Sequence, residues 1–60
     1  MNNRKERMEK ILRILEKTIE QDKKDKFDKE KLISQIMFNF NISRRIATED
    51  INAAIIYLGW

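Results

Sequence analysis

The sequence predicts an all-α fold, three helices packed as one small bundle, and three observations carry that reading. The chain has no Pro and a single Gly, Gly59, so no strong helix breaker occurs before the penultimate residue. Apolar residues recur at intervals of three and four in three separate runs, and they never alternate as a half-buried strand requires. Two short interruptions, 21–26 and 41–43, separate the runs, and neither is long enough to divide domains.

Helix 1 is expected over about residues 3–21. Met8, Ile11, Leu12, Leu15 and Ile19 repeat at the spacing that stacks side chains on one stripe, which makes them its core face. Glu6 with Lys10 and Glu9 with Arg13 form acid-before-base pairs on the solvated side, each worth about 0.3 kcal/mol. Ile14 lies off the stripe and needs another cover, such as a second subunit.

Helix 2 is expected over about residues 29–40. Asp28 can accept hydrogen bonds from the unpaired amides of the first turn, and Phe27 just before it can pack on Leu32 as a hydrophobic staple. Leu32, Ile33, Ile36, Met37 and Phe40 cover one arc, while Phe38 points away from it. Asn41 suits the left-handed residue that ends a helix when Gly is absent.

Helix 3, over about residues 44–58, opens on the same device, with Ser43 as cap and Ile42 before it. Ala47, Ile51, Ala54, Ile55 and Leu58 form its inward stripe, and the two alanines permit close approach to neighbours. Arg45, Glu49, Asn52 and Ile56 lie on the opposite face, with Thr48 alongside.

Sixty residues allow one domain, which buries only about 60% of its unfolded surface and draws roughly 3–5 kcal/mol from a single core. A partner subunit would add to that, so a homodimer is expected. At 42% hydrophobic and 38% charged, the chain is too apolar for disorder and too charged for a membrane span. No segment has the make-up of a signal peptide, and a cytoplasmic location is expected. The absence of Cys and His removes disulfides and the common zinc geometries, so no metal or cofactor is expected.

The net charge of +3 is unevenly placed. Residues 1–26 hold nine Lys or Arg against six acids, and residues 27–60 hold four against four. This permits binding to a polyanion without requiring it. Arg4, Lys5, Arg7, Lys10, Arg13 and Lys17 are interleaved with acids and read as a solvated surface, although Arg4, Lys5 and Arg7 would also serve as a basic arm on phosphates. Lys23, Lys24 and Lys26 are similar candidates.

The C-terminal half carries a recognisable pattern: Leu32-Ile33-Ser34-Gln35-Ile36, then Phe40-Asn41-Ile42-Ser43-Arg44-Arg45, then Leu58-Gly59. It resembles the helix-turn-helix core of winged-helix transcription factors, especially the small archaeal ones. Asn41 stands where such turns usually place Gly, and the sequence stops at Trp60, where a winged helix would continue into a β-hairpin. Either a wingless version or a truncated one fits.

The resemblance implies double-stranded DNA as partner and a role in transcriptional regulation. Ser43, the first amides of helix 3 and Arg44 would hold a phosphate, aided by the positive end of the helix dipole. Arg45 would reach the O6 and N7 acceptors of guanine in the major groove and Asn52 the edge of adenine, while Thr48 suits a thymine methyl or a phosphate. Glu49 would either accept from cytosine or brace Arg45 four residues back, and bracing is the favoured role. An ordinary solvated face would carry the same residues.

Phe38, Ile56, Tyr57 and Trp60, with Ile14, are many outward apolar residues for so small a chain, which points to a subunit interface. They also define the competing expectation of a helical protein-interaction module, and a helical piece of a larger replication or recombination protein is a third. Base stacking on single strands needs a basic groove, but residues 44–60 have no net charge. With no His, no Cys and no Gly-rich phosphate loop, neither an enzyme nor a small-molecule substrate is expected.

Overall fold

The computed structural model describes residues 3–21 and 24–59, and over them the chain is all-helical, with three α-helices and no strand. Helix α1 spans Arg4–Glu20, α2 spans Lys29–Phe40 and α3 spans Arg44–Leu58; a 3-10 turn at Lys24–Lys26 lies between α1 and α2. Trp60 lies outside the described residues.

Each helix begins where a side chain can satisfy a first-turn amide. The Asn3 side chain accepts from the Lys5 amide at 2.7 Å, Asp28 from the Lys31 amide at 3.1 Å, and Ser43 from the Ile46 amide at 3.3 Å. Replacing such a cap by Ala typically costs about 1 kcal/mol. Phe27 packs against the core ahead of α2 and shares a groove with Leu32, consistent with the expected staple.

Helix α2 ends on Asn41, which adopts φ 53°, ψ 50°, and donates its amide to the Met37 carbonyl. Only Ile42 and Ser43 separate this residue from α3, so the left-handed Asn41 sets the direction in which α3 departs. A β-branched residue is strained there by about 1–2 kcal/mol, whereas Gly is not. Asn41→Val should therefore lower stability in urea by about 1–2 kcal/mol and Asn41→Gly should not; equal losses in both would show that the backbone conformation is not the constraint.

The core consists of Ile11 and Leu15 from α1, Leu32, Ile33 and Ile36 from α2, and Ala47, Ile51 and Ala54 from α3. Helix α3 lies against both other helices, and its two buried alanines let their backbones come close. Met37 and Phe40 pack partly against the core from α2, as do Ile55 and Leu58 from α3.

Helix α1 is rotated relative to the expected stripe. Ile11 and Leu15 are fully buried and Met8 and Leu12 are half-buried, but Ile19 is 44% exposed, while Arg7 is buried and Ile14 packs on the core. The inward face is thus centred on Arg7, Ile11, Leu15 and Thr18. Two polar side chains make that rotation possible: Arg7 meets an acid on α3, and the Thr18 hydroxyl donates to the Ile14 carbonyl at 2.9 Å. Arg7 is consequently no part of a free basic arm, contrary to the sequence reading. Lys23 is outside the described residues.

Candidate nucleic-acid interface

Because α3 turns one face into the core, the opposite face is defined by geometry. Ala47, Asp50, Ile51 and Ala54 are buried, and Arg45, Glu49, Asn52 and Ile56, spaced by four, three and four residues, form an exposed stripe. Thr48 is half-buried on the flank. The structure therefore brings Arg45, Glu49 and Asn52 together on one accessible surface.

The two consecutive arginines are held differently. Arg45 Nε lies 3.8 Å from Glu49 Oε2, an exposed ion pair without a hydrogen bond, and such i,i+4 pairs are worth about 0.3–0.5 kcal/mol. Glu49 thus stands within ion-pair distance of Arg45 without a hydrogen bond that would occupy the guanidinium. Arg44 is engaged more firmly: its Nη2 donates to Oε1 of Glu30, near the start of α2. Glu30 was not singled out from the sequence, since the two residues stand fourteen positions apart on different helices.

Ser43 spends its hydroxyl oxygen on the Ile46 amide but retains a hydroxyl hydrogen to donate. The amides of Arg44 and Arg45 belong to the donors that every helix start leaves unpaired within the helix. Together with the helix dipole these make the start of α3 attractive to an anion, although Glu30 and Glu49 balance the two arginine charges.

A second feature missed from the sequence orients the stripe. Asp50 Oδ2 accepts from Arg7 Nε at 2.7 Å, and its Oδ1 lies 3.4 Å from Arg4 Nε. The Asp50 and Arg7 side chains are only 4% and 11% exposed. This buried pair ties α1 to α3 and opposes rotation of α3 about its axis, since turning Asp50 outward would break a buried charge-assisted hydrogen bond. The sequence did contain a signal: Asp50 falls between Ala47 and Ala54 on the inward arc, and Arg7 precedes Ile11 by one helical turn.

The outward apolar residues divide. Phe38 is 88% exposed, and Ile56 and Tyr57 are each 78% exposed. Ile14 is instead half-buried by its own chain, at the edge of an open groove of about 360 Å³ lined also by Thr18, Phe27, Lys31 and Leu32. Glu6, Glu9, Lys10 and Arg13 border a smaller groove beside Phe40.

Among the described residues no cluster of acidic side chains could hold a metal ion, and no helix is long and apolar enough to cross a membrane. No family model, curated protein or solved structure matches the chain.

Proposed function

We propose that the chain is a sequence-specific double-stranded DNA-binding regulator of transcription, in which α2, the turn at Asn41 and α3 act as a helix-turn-helix. The observation that carries this reading is the exposed stripe of Arg45, Glu49 and Asn52 on a helix whose other face is fixed in the core. The turn of 41–43 and the exposed start of α3 agree with it.

At fifteen residues, α3 is about 22 Å long, and the major groove is about 12 Å wide and admits a helix. With the stripe in the groove, Arg45 donates to guanine O6 and N7, and Asn52 pairs with adenine N6 and N7. Thr48, on the flank, meets a thymine methyl or a phosphate. Arg44 and the Ser43 hydroxyl grip a backbone phosphate, which positions the helix without reading sequence. The role is binding, without catalysis, in the cytoplasm.

In this reading the protein works as a homodimer through Phe38, Ile56 and Tyr57, whose exposure favours an interface between copies. Two-fold symmetry would place two copies of α3 about 34 Å apart on a palindromic site. The same three side chains favour a second reading, a helical module that docks another protein. Salt separates the two, because binding to several phosphates weakens steeply between about 50 and 200 mM while apolar docking barely changes.

The test is an electrophoretic shift series comparing a duplex selected from a random pool with unselected duplex. A bidentate base contact discriminates by about 1–3 kcal/mol, so Arg45→Ala should lose about 5-fold to 150-fold of the preference for the selected duplex. Retention of the full preference by Arg45→Ala would remove Arg45 as a reader. A wild-type protein that binds neither duplex at low salt would overturn the proposal.

A further inference from the structure

Arg44 and Arg45 are adjacent in sequence but differ in availability. Arg45 has a carboxylate at 3.8 Å on its own helix, too far for a hydrogen bond, whereas Arg44 already donates to the Glu30 carboxylate across the turn. A carboxylate oxygen and a phosphate oxygen make the same demand on a guanidinium, a charge-assisted acceptor in the plane of the fork. Both partners of the Glu30–Arg44 pair are exposed, so an incoming anion can reach and displace the carboxylate.

Resting on the DNA-binding reading, we infer that Glu30 is an intrachain competitor for the phosphate that Arg44 holds, an autoinhibitory contact that lowers the affinity of α3 for every duplex. Docking on DNA then exchanges one acceptor for another at Arg44. The exchange yields less than a new contact would, and the expelled Glu30 is left facing the phosphates. The chain thereby limits its sequence-independent affinity while Arg45, on the adjacent position, stays ready for a base.

The expected signature lies in salt dependence. Each phosphate contact on B-DNA contributes a slope of about −0.9 to log K against log salt, so a contact relieved of competition is favoured about 3-fold more at 50 mM than at 200 mM. Glu30→Gln should bind unselected 20-base-pair duplex about 3-fold or more tightly than wild type at 50 mM, with a slope steeper by up to about one. Glu16→Gln, an equal charge change at an exposed site on α1, measures the general effect of losing one acid. In an Arg44→Ala background Glu30→Gln should do no more than Glu16→Gln.

Weaker duplex binding by Glu30→Gln would show that Glu30 positions Arg44 and does not compete for it. A gain equal to that of Glu16→Gln would show that only net charge matters; either result overturns the inference while leaving DNA binding intact. Failure of the wild-type protein to bind any duplex would overturn the DNA-binding reading and this inference with it.

Discussion

Asp50→Ala is expected to unfold the protein, or to bring its urea midpoint close to zero, when helicity is followed by circular dichroism. Asp50 is the acid in the buried pair that joins α3 to α1, with Arg7 at 2.7 Å and Arg4 at 3.4 Å. Removing one partner of a buried ion pair typically costs about 3–5 kcal/mol, because the charge left behind stays buried and loses an acceptor that offset its desolvation. A single core of this size supplies only about 3–5 kcal/mol in total. The two figures are of the same order, so one substitution is enough to remove the folded state. An unchanged midpoint for Asp50→Ala would mean that the pair contributes nothing.

Replacing both partners separates stability from orientation. Arg7→Met with Asp50→Leu removes both charges and roughly keeps the volume, and such exchanges are often neutral or stabilising by up to about 4 kcal/mol. That double variant should fold. If the protein binds DNA as proposed and the ion pair also sets the rotation of α3, preference for a selected duplex should fall even though the protein is as stable as wild type. The pair therefore couples the packing of α1 on α3 to the direction in which the Arg45, Glu49 and Asn52 stripe faces.

What was legible in the sequence was local. Asp28, Ser43 and Asn41 revealed the helix ends because capping and the left-handed conformation depend on a few consecutive residues. The outward stripe of α3 was legible for the same reason: the inward alanines and Ile51 fix the opposite face once a period of 3.6 residues is assumed. What could not be read depended on a distant partner. Hydrophobicity alone places Ile19 in the core and Arg7 on the surface of α1, and the structure has the reverse. The structure favours the arc that includes Arg7 because Asp50, forty-three positions away, meets it there. Ile14, assigned to a second subunit, is partly covered by its own chain for the same reason, since the rotation of α1 turns it toward the core and the groove beside Phe27. The Glu30–Arg44 contact also crosses between helices, and no periodicity within one helix points to it.

Ile51 and Ile56 make the sharpest comparison within one helix, because the same substitution at both should have opposite consequences. Ile51 is fully buried where α3 meets the other two helices, and truncating it to Ala should cost about 2–5 kcal/mol through lost transfer energy and the cavity left behind. That loss is comparable with the whole stability of the fold. Ile56, five residues later, is 78% exposed, and in a monomer Ile56→Ala should stay within about 0.5 kcal/mol of wild type. A dimer changes the second expectation, because a residue buried between copies contributes stability that grows with protein concentration. Urea titrations of Ile56→Ala and wild type at two concentrations a hundredfold apart therefore report on the interface. Coincident curves at both concentrations would exclude Ile56 from any subunit contact, and a wild-type midpoint that rises with concentration while the variant's does not would place it there. In the second case Ile56, at the C-terminal end of the same stripe as Arg45, would bring the subunit boundary close to the proposed DNA-reading surface, so that dimerisation and duplex binding would share one face of α3.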